Sequence, residues 1–88
     1  MDTEDEWRPA LATGIRLQYE TAQDSWVLLY PEGMAQLNTS AAEILKRCDG
    51  SRTIAAMTQE LEILFNTSGI EPEVQNLTQE ARRRGWLV

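Results

Sequence analysis

An α+β fold of three short antiparallel strands followed by three helices is predicted by three features of this sequence. Polar and apolar residues alternate strictly over Ile15-Arg16-Leu17-Gln18-Tyr19. A run of aromatic and branched residues follows in Ser25-Trp26-Val27-Leu28-Leu29-Tyr30. From Asn38 onward the apolar residues recur every three to four positions, the period of a helix rather than a strand. Strands first and helices after is the order of a small sheet with helices packed on one face.

Residues 1–13 read as a flexible acidic N-terminal tail, with four acids, a proline and only Trp7 and Leu11 as large apolar anchors. The folded domain is expected over residues 14–88. The first strand occupies the alternating stretch after Gly14, with one face buried. The second, Ser25 to Tyr30, suits a central position covered on both sides. Tyr30-Pro31-Glu32-Gly33-Met34 then predicts a reversal, with Pro31 presetting the first corner and Gly33 in the left-handed conformation closing a three-residue hairpin. The chain returns through Met34-Ala35-Gln36-Leu37, a short third strand at the margin of the sheet.

Ser40 followed by Glu43 fits a capping box and opens the first helix. Ala41, Ile44, Leu45 and Cys48 fall on one face of it, and Asp49-Gly50 supplies a glycine stop. Thr53 caps the second helix, whose core face carries Ile54, Met57, Leu61, Leu64 and Phe65, and Asn66 to Gly69 end it. Pro72 in a first turn, flanked by Glu71 and Glu73, opens a third helix through Val74, Leu77 and Ala81 to Gly85. Arg82-Arg83-Arg84 complement the negative end of its dipole. Trp86-Leu87-Val88 complete the burial.

Composition excludes several functions. The 88 residues contain no histidine, which removes the commonest general base and zinc ligand together. The single cysteine, Cys48, lies in apolar phase and reads as a core residue, neither a nucleophile nor a metal ligand. Glu60/Glu62 and Glu71/Glu73 stand two apart on helices, do not face one another, and read as solvated charges. The glycines sit at element boundaries and form no phosphate cradle. No catalytic residue, cofactor or metal is therefore expected. A net charge of −6 opposes binding to nucleic acid. With no signal peptide pattern and no apolar stretch near the ~20 residues of a membrane span, a cytoplasmic protein without membrane association is expected.

Recognition of a partner is what such a chain can offer. The edge of a three-stranded sheet presents unpaired N–H and C=O groups that an extended peptide can complete by strand addition. Met34, Ala35, Gln36 and Leu37 contain no proline, lysine or glycine to guard that edge. If the third helix flanks it, Val74, Leu77, Thr78 and Ala81 form a wall. The alternative is that this strand is covered, by the tail or by a second copy of the chain. Two helices joined across Asp49-Gly50-Ser51-Arg52 beside short strands also fit a winged helix-turn-helix, which leaves a nucleic-acid-binding module as a competing reading. Glu43 on the first helix and Glu71, Glu73 and Glu80 on the third oppose it.

Leu29-Tyr30-Pro31-Glu32-Gly33, then Leu37-Asn38, Ile44-Leu45, Cys48-Asp49-Gly50 and Thr53-Ile54 resemble the pyrroloquinoline quinone (PQQ) biosynthesis protein D family, PqqD. The resemblance starts at Arg8-Pro9, passes Gly14-Ile15-Arg16-Leu17 and ends at Arg84-Gly85-Trp86-Leu87, in the family's order and nearly its spacing. It implies a winged-helix-like peptide-binding domain, a recognition element for ribosomally made, modified peptides. It also implies a peptide chaperone that binds the precursor peptide PqqA as an added strand and presents it to the radical S-adenosylmethionine enzyme PqqE, which cross-links a Glu and a Tyr within it. Carried onto this chain, the peptide site comprises Met34, Ala35, Gln36 and Leu37 for main-chain pairing and Val74, Leu77, Thr78 and Ala81 for side-chain contact. Glu73-Val74-Gln75-Asn76-Leu77-Thr78 is more polar than the last helix of relatives. Monomer and homodimer both fit the pattern.

Overall fold

The computed structural model describes residues 6–88. Strands β1 (Arg16–Glu20), β2 (Ser25–Tyr30) and β3 (Gly33–Leu37) form one antiparallel sheet in the order β1-β2-β3, followed by helices α1 (Thr39–Lys46), α2 (Ile54–Leu64) and α3 (Glu71–Arg83). The expected α+β order is the one observed. β2 is central, and Val27 and Leu28 at its middle are fully buried.

The β2–β3 hairpin is tighter than the sequence suggests. Tyr30 pairs directly with Gly33, so the loop contains only Pro31 and Glu32. Gly33 has φ +158°, belongs to the strand, and does not take the left-handed turn position expected of it.

α1 starts two residues earlier than a capping box at Ser40 would place it. The Asn38 side chain accepts from the Ala41 amide at 2.8 Å, and Ser40 lies inside the helix. The residue that ends β3 is thus followed at once by the cap of α1, with no linker between them. Ala42, rather than Ala41, joins Ile44 and Leu45 in the core. The helix ends at Arg47, ahead of Gly50, whose amide instead donates to the Pro9 carbonyl at 2.9 Å.

Both later helices end in a Schellman motif, in which a left-handed residue after the cap lets two amides reach back to the last free carbonyls. In α2 the left-handed residue is Asn66 (φ 51°), with Thr67 N–H bonded to Glu62 C=O and Asn66 N–H to Ile63 C=O at 2.9 and 3.2 Å. In α3 it is Gly85 (φ 82°), with Trp86 and Gly85 bonded to Ala81 and Arg82 at 2.9 and 3.0 Å. The second turn redirects the chain so that Leu87 enters the core.

The core joins Leu28 of β2, Ile44, Leu45 and Cys48 around α1, Ile54, Met57 and Leu61 of α2, Val74 and Ala81 of α3, and Leu87. Leu64 and Phe65, expected on the buried face of α2, are exposed, because the face bearing Ile54, Met57, Thr58 and Leu61 already fills the contact with α1 and α3.

The expected boundary between tail and domain does not hold for residues 7–12, while residues 1–5 lie outside the described residues. Pro9 is buried, Ala10 and Val88 exchange amide-to-carbonyl bonds at 3.2 and 2.9 Å, and Ala12 donates to Trp86 at 2.9 Å. On its other side the segment receives Gly50 and donates from Leu11 to Cys48. Trp7 docks as its position suggested, with its indole N–H on the Val88 carbonyl and the Arg82 guanidinium 4.5 Å from its ring. Such pairing joins residues nearly the whole chain apart and has no local periodic signal.

Candidate functional site: the free edge of the third strand

The Pro31-Glu32 turn sets the hydrogen-bond phase of the hairpin. A turn bond joins Tyr30 and Gly33, and antiparallel pairs then alternate between bonded and non-bonded. Leu28–Ala35 and Trp26–Leu37 share the bonded phase, while Leu29–Met34 and Val27–Gln36 fall in the other. The amide and carbonyl groups of Met34 and Gln36 therefore point away from β2, toward the open side of the sheet. Among the described residues no backbone group pairs with them there.

Side chains sort by the same alternation. Ala35 and Leu37 pack against the helical core, whereas Met34 and Gln36 lie on the opposite face of the sheet, Met34 half exposed and Gln36 bonded through Nε2 to Ser25 Oγ at 3.0 Å. At the end of the strand the row Tyr19–Trp26–Leu37 crosses the sheet on the core side. Tyr19 meets Trp26 edge to face with ring centroids 5.6 Å apart, and Lys46 Nζ lies 5.0 Å from the Trp26 ring, which pins the sheet to α1. The Tyr19 hydroxyl donates to Asp24, and that bond holds the phenol above its ordinary pKa because ionisation would set two anions side by side.

The helical residues assigned to the peptide site occupy a different environment from the one expected. Val74, Thr78 and Ala81 are 1, 0 and 1% exposed, and the Thr78 hydroxyl donates to the Val74 carbonyl at 2.8 Å. They are the stripe by which α3 covers the core, since its main packing partners are α1 and α2, whereas β3 packs chiefly on β2 and α1. As placed, Thr78 and Ala81 have no surface to offer a ligand, and Val74 has only the sliver that lines a cleft between the helices. Leu77 remains half buried at the margin of the core.

What the sequence did not reveal is a cleft between the three helices. Ser40 and Ile44 of α1, Leu61, Phe65 and Thr67 at the end of α2, and Ile70, Glu73 and Val74 at the start of α3 enclose about 300 Å³. Its walls are mostly apolar and belong to three helices, so no single periodic segment marks it. One carboxylate braces the cleft: Glu62 Oε2 accepts from the Gly69 and Ile70 amides at 2.8 and 3.3 Å, fixing the α2–α3 connection.

The other charged groups form a structural network. Glu60, expected as a solvated charge, receives Arg47 at 3.4 Å and Arg52 at 2.5 Å, and Glu43 pairs with Arg47 at 2.8 Å and Lys46 at 3.1 Å. The Arg47 hydrogen bond holds the Glu43 carboxyl below its ordinary pKa, and the nearby Lys46 adds to the effect. Arg83 and Arg84 both pair with Glu80 across the last turn of α3, in line with the local role expected of them.

Cys48 is buried, and desolvation pushes its thiol up to about 12. A neutral thiol is a poor nucleophile. The folded protein should therefore react with an iodoacetamide probe at pH 8 orders of magnitude more slowly than the urea-unfolded chain, as mass spectrometry of the alkylated protein would read; equal rates would place the thiol at the surface. The raised pKa also contributes stability that is whole below the ordinary thiol value of 9.0 and is lost as pH climbs toward about 12. Among the described residues no group of three or more potential ligand side chains is placed to hold a metal ion, and no helix is long and apolar enough to cross a membrane.

The free sheet edge lies within a chain that matches known proteins over most of its length. The family model for coenzyme PQQ synthesis protein D (PqqD) matches residues 25–87. A PqqA binding protein of Azotobacter vinelandii is 50% identical over 80 residues, which cover 90% of this chain and 87% of that one. A PqqA binding protein of Methylococcus capsulatus is 44% identical over 73 residues, covering 83% of this chain and 78% of the relative. Among solved structures, the PqqD truncation of Methylobacterium extorquens PqqCD, described as a functional and stand-alone recognition element for ribosomally synthesized and post-translationally modified peptides, superposes with a TM-score of 0.73 at 30% identity, covering 91% of this chain and 87% of that one. PqqD from Xanthomonas campestris superposes with a TM-score of 0.57 at 36% identity, covering 85% and 86% of the two chains. Together with the strand and helix order described above, these matches assign the chain to the PqqD family.

Proposed function

We propose that this protein is a non-catalytic peptide chaperone of PQQ synthesis that binds the precursor peptide PqqA by strand addition to β3 and presents it to the radical S-adenosylmethionine enzyme PqqE. The observation that carries the binding mode is the outward set of main-chain groups at Met34 and Gln36, on an edge that nothing pairs among the described residues. Main-chain pairing accepts many sequences, which suits a chaperone whose ligand is to be handed on. Ala35 and Leu37 hold the strand in place through the core and do not themselves present bonds to the ligand.

The helical half of the site is narrower than the resemblance implies. Leu77 is the one residue of the four on α3 with surface to contribute, and Val74 reaches a ligand only as part of the cleft wall. Glu71 and Glu73 stand exposed on α3, where a winged-helix DNA binder needs cations, and this disfavours the nucleic-acid reading.

Titration of isotope-labelled protein with synthetic PqqA is expected to move the Met34 and Gln36 amide resonances most within the sheet, while those of β1 stay in place. Shifts confined to β1 or to the Arg47–Glu60 network would overturn the site. Because the same edge would also let two copies pair, sedimentation with and without peptide separates ligand binding from dimerisation. Co-purification of PqqE that depends on added PqqA tests the presentation step.

A further inference from the structure

β3 offers a ligand the backbone groups of only Met34 and Gln36, and hydrogen bonds gained by exchange with water do not offset the loss of freedom on association. Side-chain contact has to supply the rest. Directly opposed residues of a ladder share one face of the sheet. The peptide residues that pair with Met34 and Gln36 therefore carry their side chains onto the face those two occupy, which is the face away from the helices. Only the residue between them turns toward the helical layer.

That outer face is built in rows. Arg16, Leu29 and Met34 stand side by side across the three strands, and Gln18, Val27 and Gln36 form the next row. Both rows end at the free edge. In the first, Leu29 is half-buried between its neighbours and Met34 is 50% exposed, so an apolar strip reaches the margin of the sheet unfinished. Edges that avoid pairing commonly carry lysine at such a place. Methionine instead offers an adaptable apolar contact. In the second row Val27 is fully buried although it lies outside the core around Leu28, flanked by the two glutamines. Gln36 Nε2 donates to Ser25 Oγ at 3.0 Å, which fixes the carboxamide and leaves its oxygen as an acceptor for a ligand.

We propose that the outer face of the sheet reads the peptide that β3 pairs. The residue opposite Met34 is apolar and extends the Arg16–Leu29–Met34 row. The residue opposite Gln36, two positions away in the peptide, carries a hydrogen-bond donor for the Gln36 carboxamide oxygen. Geometry fixes the occupant, because any strand added at this edge sets alternate side chains on this face. The inference rests on the strand-addition reading and adds a sequence requirement to it: Met34 and Gln36 select by their side chains as well as pairing by their backbone.

The test uses the full chain, labelled at the backbone amides and at the Met34 methyl, with synthetic PqqA as the probe. The expected result is that the Met34 methyl shifts together with the Met34 and Gln36 amides and shows intermolecular contacts to an aliphatic or aromatic side chain of PqqA. In calorimetric titration Met34→Leu should bind within about twofold of the unaltered protein, whereas Met34→Gln and Gln36→Met, which exchange the polarity of each position at similar length, should each bind about three- to fivefold more weakly. Thermal melts check that the variants remain folded. Movement of the amides without the methyl, or unchanged affinity in Met34→Gln and Gln36→Met, overturns the reading of side chains at this face and leaves strand addition standing. Movement of the methyl without the amides, or of neither, overturns strand addition and this inference with it. Methyl shifts that depend on protein concentration without PqqA would assign the face to a second copy of this chain and overturn the proposal.

Discussion

Gln36→Pro is expected to weaken PqqA binding by one to two orders of magnitude while leaving the fold intact. The Gln36 amide points toward the open side of the sheet, so a proline ring there displaces no bond to β2. It removes a donor that the added strand needs, and leaves the opposing peptide carbonyl unpaired in the complex. A lost bond with a stranded partner costs about 1–3 kcal/mol, which is the stated range in affinity. Ala35→Pro is the control with the opposite signature. Its amide faces β2, so the ring would break the hairpin and lower the melting temperature before binding could be measured. Calorimetric titration and thermal melts of both variants decide the matter; a Gln36→Pro protein that melts normally and binds normally would eliminate strand addition at β3.

Leu61→Ala carries the largest expected effect on stability. Leu61 is fully buried where α2 meets α1 and α3, beside Ile44, Leu45 and Val74. Truncation removes apolar burial and leaves a void, together about 2–5 kcal/mol. A domain of this size has about 5–15 kcal/mol in total, so the loss runs from roughly an eighth of it to the whole. At about 4–8 °C per kcal/mol for a small domain, the melting midpoint should fall by at least ~8 °C. A shift under ~3 °C in a calorimetric scan would show that the helices do not share one cooperative core. Leu61 also lines the cleft between the three helices.

Local chemistry was legible in the sequence, and pairing between distant segments was not. The bounds of β2, the Thr53 cap, the Pro72 start and the Gly85 stop all follow from nearest-neighbour physics, and each is found where expected. Where two local solutions compete, the tertiary context decides. Asn38 and Ser40 are equally good caps, and Asn38 is used because β3 ends at Leu37. Helical periodicity puts Leu61, Leu64 and Phe65 on one face, but the width of the contact with α1 and α3 leaves the last two outside. The same limit applies to the site. An edge strand can be recognised from its composition, whereas the inward orientation of Val74, Thr78 and Ala81 depends on which helices α3 covers. The cleft needs three helices at once to exist.

The ribbon that joins Ala10 and Ala12 to Trp86 and Val88 bears on how the chain acquires its structure during synthesis. Leu87 belongs to the core, and its backbone neighbours are held by Ala10 and Ala12, which precede the whole sheet in sequence. A ribosome that has delivered β1 to α2 has released a sheet and two helices whose shared interior still lacks Val74, Ala81 and Leu87. Consolidation must wait for position 87, since loop closure between such distant partners is repaid only when both are present. The packed scaffold behind the open edge of β3 is therefore complete only when both ends of the domain are present.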